Sequence, residues 1–170
     1  MRRLVLSLFL VLAAICAGYT GYWVYLAHRL QTEIGPWAEA ERARGTTLGW
    51  DSLAVEGFPF VIRLRFAQAT ASGEKPLPFT ATAPLLLAET RVWDARHWRV
   101  SAPDGAQAAL PGEAGGLAAA SVDGNLGLDG AGGATIDLAA RALAGSGIAA
   151  GTAIAAAEAR LTLPDHAPAN

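Results

Sequence analysis

An uncharged run near the amino terminus constrains this chain more than any other feature. From Leu4 to Leu26 there are 23 consecutive residues without a charged side chain, and Arg2 and Arg3 precede them. At about 1.5 Å per residue, a helix of this length exceeds the roughly 30 Å of a bilayer's hydrocarbon core. Residues 1–26 therefore predict a membrane anchor.

A cleaved secretory signal is the alternative interpretation of this run, with Ile15-Cys16-Ala17 as an acceptable cleavage site. The apolar core of such a signal is usually only about 7 to 15 residues long. Here the run continues past that site and ends in an aromatic cluster that contains Tyr22, Trp23 and Tyr25. Tyr and Trp prefer the membrane interface, so the pattern favours a retained, single-pass anchor.

Arg2 and Arg3 favour a cytoplasmic amino terminus, although Arg29, Arg42 and Arg44 weaken the charge asymmetry. Mainly because the run is laid out like a signal sequence, the rest of the chain is expected to face the periplasm or the exterior.

The next segment, residues 27–45, predicts an amphipathic helix that leaves the bilayer. Leu26, Leu30, Ile34 and Trp37 recur at intervals of three and four residues and form one apolar stripe. Pro36 lacks an amide donor, so we expect either a kink or a fresh helix start at this point. Gly45 is the expected end of the helix.

After Gly45 the apolar period changes to two, which indicates strands. Apolar residues alternate with Arg63 and Arg65 in the clearest strand, and these apolar residues are Phe60, Ile62, Leu64 and Phe66. Residues 46–56 predict its partner strand, with a bulge near Asp51-Ser52 where the apolar phase changes. Gly57-Phe58-Pro59 is the expected turn between the two strands.

The remaining sequence predicts further strands separated by glycine-rich turns. The expected strands are Phe79–Trp93, His97–Ala102, Ala106–Leu110, 118–128, 134–142 and 153–163. The expected turns are 103–105, 130–133 and 145–147. Ala118 and Val122 are expected to share one sheet face. Residues 46–170 therefore predict an antiparallel β-meander, a curved open sheet whose inner face carries small residues, so the fold class is mainly β.

Composition and motifs exclude several classes of function. With 13 Lys and Arg against 15 Asp and Glu, the net charge of −2 provides no basic surface for nucleic acid. Cys16 is the only cysteine, and the three histidines, of which His97 is expected in a turn, lack metal-ligand spacing. A dinucleotide-like Gly145-Ser146-Gly147 is better explained as a hairpin turn. We therefore expect no metal, no cofactor and no enzymatic activity.

Arginines form two groups along the predicted strands. Arg63 and Arg65 lie on the solvent-facing side of one strand, and Arg91, Arg96 and Arg99 accompany Trp93 and Trp98. Such residues can contact anionic lipid head groups. Ordinary solvated arginines that shield a sheet edge are the favoured alternative.

Three segments in this order resemble an uncharacterised bacterial envelope family, the domain of unknown function 2125. They are Gly21-Tyr22-Trp23-Val24-Tyr25, Gly57-Phe58-Pro59-Phe60-Val61-Ile62-Arg63 and Ala88-Glu89-Thr90-Arg91-Val92-Trp93. The resemblance implies a β-rich periplasmic protein anchored in the inner membrane, more distantly similar to the AsmA-like proteins of lipid transport. It also implies that this chain corresponds to the N-terminal half of longer members, with a sheet cut short at Asn170.

Two functional hypotheses follow from the anchor and the sheet. In the first, lipid or another apolar ligand binds the apolar sheet face that carries Phe60, Ile62, Leu64 and Phe66. In the second, the protein is a structural or assembly subunit whose helix 27–44 and free sheet edge recruit another envelope protein.

Overall fold

The computed structural model of the protein describes residues 2–74, 78–110, 115–128, 134–147 and 153–163. One helix, α1 (Arg2–Ala43), precedes ten strands. The strands are β1 (Thr46–Gly49), β2 (Ser52–Glu56), β3 (Val61–Gly73), β4 (Phe79–Arg91), β5 (Asp94–Ala102), β6 (Ala106–Leu110), β7 (Gly115–Ala119), β8 (Ser121–Leu128), β9 (Ala134–Gly147) and β10 (Ala153–Leu163). The mainly β fold predicted from the sequence is confirmed.

The helix runs without a break through Pro36, so the fresh start considered for this position does not occur. It ends where Gly45 adopts a φ of +96° and donates its N–H to the Arg42 carbonyl oxygen at 3.0 Å. The placement of Trp37 in the apolar stripe was wrong, because Trp37 is exposed and Ala38 is buried. Ala38 lies four residues after Ile34 and therefore continues the same helix face.

The described strands form an antiparallel meander of seven rungs. β1 and β2 together make the first rung and pair with β3, which pairs with β4. β5 and β6 lie end to end along the other side of β4, and β8 and β7 lie end to end between that rung and β9. β10 pairs with β9 and is the last rung of the described sheet.

An interruption crosses the whole sheet at one height, and we call it the crease. It passes through 50–51, Gln68, Pro84, 103–105, Ala120 and Ala142, which the pairing registers place opposite one another. Gln68 and Ala142 both have a φ of +50°, a left-handed conformation unusual for residues with a side chain. In β3 the side chains that face inward change from even-numbered to odd-numbered positions at Gln68. Leu64 is buried before Gln68, whereas Ala69 is half-buried after it. The break between β1 and β2 at residues 50–51 is one end of the crease, but the bulge predicted near Asp51-Ser52 was wrong, because the pairs Gly49–Thr70 and Ser52–Ala67 keep the same register and no extra residue is inserted.

The crease explains two of the errors in the predicted strands. Residues 103–105 do not close a hairpin, because β5 and β6 pair with β4 on the same side and the chain only kinks between them. Ala118 does not share a face with Val122, because Ala120 breaks the alternation between exposed Ala118 and half-buried Val122.

Four other positions differ from the predictions. Residues 145–147 belong to β9 and pair with β7, so they are not a hairpin turn. His97 lies in β5, where it pairs with Gly127, and not in a turn. Phe60 belongs to the turn before β3, and β4 ends at Arg91. The predicted turn at 130–133 lies outside the described residues.

The most buried large side chains lie in β3, on one side of the crease. Ile62 and Leu64 are only 3% and 6% exposed, and Thr90 of β4 is buried directly opposite Ile62. Full burial of such an aliphatic side chain stabilises a fold by about 1.5–3 kcal/mol. The half of the sheet between the crease and the β2–β3 turn therefore contains the better packed core.

Candidate functional site

Two turns lie side by side at one end of the sheet. The β2–β3 turn spans 57–60, and the β4–β5 turn contains Val92 and Trp93. The Val92 N–H donates to the Phe60 carbonyl oxygen at 3.2 Å, and the Phe60 and Trp93 rings meet edge to face with centroids 6.4 Å apart. We call the side chains of Phe58, Phe60 and Trp93 the aromatic end of the sheet.

The helix holds the aromatic end through two side chains of its apolar run. The Tyr19 hydroxyl donates to the Pro59 carbonyl oxygen, and Trp23 Nε1 donates to the Val61 carbonyl oxygen at 3.4 Å. Phe58 packs edge to face on the Trp23 ring, with centroids 5.6 Å apart, and also contacts Tyr19. The β2–β3 turn is therefore attached to the helix within the predicted membrane segment.

A buried threonine fixes the second turn. The Thr90 hydroxyl lies within hydrogen-bond distance of the carbonyl oxygens of Asp94 and His97, the latter at 2.8 Å. The His97 Nδ1 is 2.9 Å from Asp94 Oδ1, and this side-chain hydrogen bond lowers the pKa of Asp94. Trp93 thus projects from a turn whose backbone is held on both sides.

All three side chains of the aromatic end are open to solvent in the isolated chain. Phe58 is 51% exposed, Phe60 60% and Trp93 67%. Single exposed apolar residues are ordinary, but three exposed aromatic residues on two adjoining turns are a candidate interaction surface.

The structure separates the four residues predicted to bind an apolar ligand. Phe60 is exposed at the aromatic end, whereas Ile62 and Leu64 are core residues. Phe66 is half-buried and packs edge to face on Trp50, with ring centroids 5.5 Å apart. Of the four, Phe60 offers the most open surface to a ligand.

The same apolar face continues across the middle rungs, where sequence patterns had not singled out a site. Trp98 pairs across the sheet with Leu126, and Leu126 pairs with Ile136. One row further from the turns, Val100 and Leu138 flank Gly124. We call these residues the apolar strip: Trp98, Val100, Leu126, Ile136 and Leu138. The helix packs chiefly on β1 and β2, so it does not cover this strip.

Glycine at position 124 makes room within the apolar strip. A Cβ atom there would lie 2.7 Å from Leu138 Cδ2 and 3.1 Å from the Asp137 carbonyl oxygen. Leu138 therefore extends over Gly124, yet it remains 42% exposed. The alternation in residues 118–128 and 134–142 could have located Leu126, Ile136 and Leu138, but not the partial exposure of their face.

The opposite face of the sheet carries a row of polar side chains, one from each rung. Strand pairing aligns them in the order Glu56, Arg63, Glu89, Arg99, Asn125, Asp137 and Arg160. Arg63 donates to Glu89 and Arg160 to Asp137, while Arg99 lies 3.4 Å from Asp123. The hydrogen bond to Asp137 raises the pKa of Arg160.

An open groove of about 540 Å³ lies along this polar row and includes Arg91 and His97. Among the described residues, no three His, Cys, Asp or Glu side chains are grouped so that they could hold a metal ion. Because the charged groups of the row largely neutralise one another, this face has the character of a solvated surface.

Comparisons with known proteins identify a family without an assigned activity. A family model described as "Uncharacterized protein conserved in bacteria (DUF2125)" matches residues 23–170. No curated protein matches the chain. No solved structure matches it either. The more distant similarity to AsmA-like proteins stays a prediction.

Proposed function

The chain belongs to the DUF2125 family of uncharacterised bacterial proteins, and we propose that it is a membrane-anchored module that binds a lipid acyl chain or another apolar ligand. The role is one of binding, not of catalysis. The observation that carries the proposal is the apolar strip, a partly exposed apolar face that begins beside the turns at the membrane end of the sheet.

The helix supports the anchor. It contains an apolar segment long enough to cross a membrane, and none of that segment's most apolar window is buried in the fold. With Arg2 and Arg3 on the cytoplasmic side, the sheet stands on the periplasmic face of the inner membrane. Fusion of a periplasm-dependent reporter enzyme after residue 170 tests this topology, and an inactive reporter in a stably expressed fusion contradicts it.

The position and chemistry of the apolar strip support the ligand class. Its leucine, isoleucine and tryptophan side chains carry no charge, and Leu128 extends the same face to the end of β8, where it is 41% exposed. An acyl chain that lies along the strip would replace water on this surface at about 25 cal/mol per Å² of buried apolar area. The bilayer beside the turns supplies such chains.

Photocrosslinking tests the binding proposal. The full chain is reconstituted in vesicles that contain a phospholipid with a diazirine in its acyl chain, and crosslinked peptides are identified by mass spectrometry. We expect crosslinks in β5, β8 and β9, and we expect Leu138→Gln to reduce them severalfold. Leu117→Gln is the matched control, because Leu117 is an exposed leucine in β7, across the crease from the strip. Crosslinks confined to α1 contradict the proposal.

One observation favours the alternative role of an assembly subunit. Within the described sheet, β10 pairs on one side with β9 and its other side has no partner strand. An open strand edge of this length is a template for pairing with another chain. A photoreactive residue at the exposed position Glu158 in β10 distinguishes the two roles in intact membranes. A stoichiometric protein adduct there, together with no lipid adduct on the apolar strip, favours assembly.

A further inference from the structure

The depth of the aromatic end in the membrane can be calculated from the length of the helix. Leu4, the first residue of the apolar run, and Trp23 are separated by 19 residues. At 1.5 Å per residue this distance is about 28 Å, close to the roughly 30 Å of the hydrocarbon core. When Leu4 is at the cytoplasmic boundary, Trp23 reaches the opposite one and Tyr19 lies about one helical turn inside it.

Because the Pro59 and Val61 carbonyl groups are hydrogen-bonded to Tyr19 and Trp23, this end of the sheet lies at the same membrane depth as these two helix residues. Both carbonyl groups belong to the backbone on either side of Phe60, and Phe58 packs on the Trp23 ring itself. The β2–β3 turn is therefore at the outer boundary of the hydrocarbon core. Trp93 is at the same level, because its turn is hydrogen-bonded to Phe60 and its ring contacts the Phe60 ring.

The side chains at this level have the chemistry of an interfacial contact. Tryptophan is enriched where hydrocarbon meets the head groups, and phenylalanine and tryptophan side chains of interfacial helices insert at this boundary. The three rings of the aromatic end are more than half exposed. Arg91 and Arg96, both exposed, flank Trp93 in the chain, and their positive charges can attract anionic head groups near the surface. The nearby carboxylate of Asp94 is engaged by His97.

We propose that Phe58, Phe60 and Trp93 enter the outer boundary of the bilayer and form a second membrane contact beside the helix. The occupant of this surface is the phospholipid bilayer, since the surface is continuous with the membrane-spanning helix. Two contacts fix the orientation of the sheet, whereas a helix alone would leave it free to tilt. This inference rests on the anchoring part of the proposed function.

Site-directed spin labelling of the full chain tests the inference. In a Cys16→Ser background, single cysteines replace Leu12, Phe60, Trp93 or Thr80, and the labelled chains are placed in vesicles of phosphatidylethanolamine and phosphatidylglycerol. Leu12 reports the anchor, and Thr80 is an exposed control in the part of β4 far from the turns. Collision rates with oxygen, which partitions into lipid, and with a nickel chelate, which stays in water, measure depth.

We expect the labels at positions 60 and 93 to collide with oxygen severalfold more than with nickel, and the label at position 80 to show the reverse. If the labels at 60 and 93 are as accessible to nickel as the label at 80 while the label at 12 is deep in the bilayer, the second contact is overturned. The anchor then stays intact. Low accessibility to both reagents at 60 and 93 identifies a protein partner and also overturns it. A label at 12 that is exposed to nickel refutes the anchor itself.

Discussion

At the scale of single residues, Gly57 determines the geometry of the aromatic end. It has a φ of +101°, and a Cβ atom at this position would lie 2.7 Å from the Val61 carbonyl oxygen. Its own carbonyl oxygen accepts the Val61 N–H at 3.1 Å, which closes the turn. Glycine is required here for two independent reasons, backbone conformation and space.

Substitution of Gly57 by alanine is therefore expected to destabilise the fold. Strained backbone conformations cost about 1–3 kcal/mol each, and the contact with the Val61 carbonyl adds to this cost. Thermal unfolding in detergent micelles, followed by circular dichroism, measures the loss. Gly35→Ala is the control, because nothing lies near that helical glycine and alanine is the better helix former. Equal melting temperatures for Gly57→Ala and the natural chain would contradict the role of the turn.

The sequence predicted the residues of this turn but not their contacts. Gly57-Phe58-Pro59 is a recognisable turn, and Trp23 is typical of a membrane boundary. Their association could not be predicted, because Trp23 and Val61 are 38 positions apart and neither side chain carries a sign of its partner. Long-range hydrogen bonds to backbone carbonyls leave no pattern in a single sequence.

At the scale of elements, the polar row joins seven rungs through side chains that lie directly opposite one another. Arg63 and Glu89 are in central strands, with side chains 41% and 32% exposed, whereas Arg160 and Asp137 are 75% and 41% exposed near the sheet edge. Solvent screens the edge pair more strongly, so the central pair is expected to contribute more to stability.

Glutamine substitutions test this difference. Arg63→Gln is expected to reduce the free energy of unfolding by about 0.5–1 kcal/mol, the range for a good cross-strand charge pair. Arg160→Gln is the matched control and should change stability much less. A double-mutant cycle of Arg63→Gln with Glu89→Gln isolates the coupling between the two side chains. A coupling energy indistinguishable from zero would show that the row is only a solvated surface.

The crease shows where element prediction from the sequence stops. Its signal is plain at residues 103–105, and at Asp51-Ser52 the apolar phase changes in the sequence itself. Gln68, Ala120 and Ala142 carry no such signal, because glutamine and alanine are ordinary strand or helix residues. These residues are recognised only by their position opposite one another in the pairing registers. The turn predicted at 145–147 is a separate error, because the glycines there lie within β9, which continues to Gly147.

At the scale of the whole molecule, helix and sheet form one packed unit. The connection through Gly45 reverses the direction of the chain, so β1 and β2 run back beside the helix. The turn at residues 57–60 thereby reaches Tyr19 and Trp23. The predicted division into an anchor over 1–26 and an amphipathic helix over 27–45 corresponds to one continuous helix. Because the sheet packs on part of that helix, loss of the anchor would also remove packing partners of the aromatic end.

The last prediction concerns this dependence on the anchor. Leu12 is in the middle of the apolar run and 57% exposed in the isolated chain, so Leu12→Arg places a charge near the bilayer centre. Such a charge costs about 2.5–3.5 kcal/mol on insertion scales. We expect a smaller fraction of this variant in carbonate-washed membranes, whereas Gln31→Arg, outside the run on an exposed helix position, should fractionate like the natural chain. Intact mass is measured on the same samples, because a chain that begins near Gly18 would identify a cleaved signal and refute the anchor. If the Leu12→Arg chain stays wholly in washed membranes, the run is not what holds the protein there.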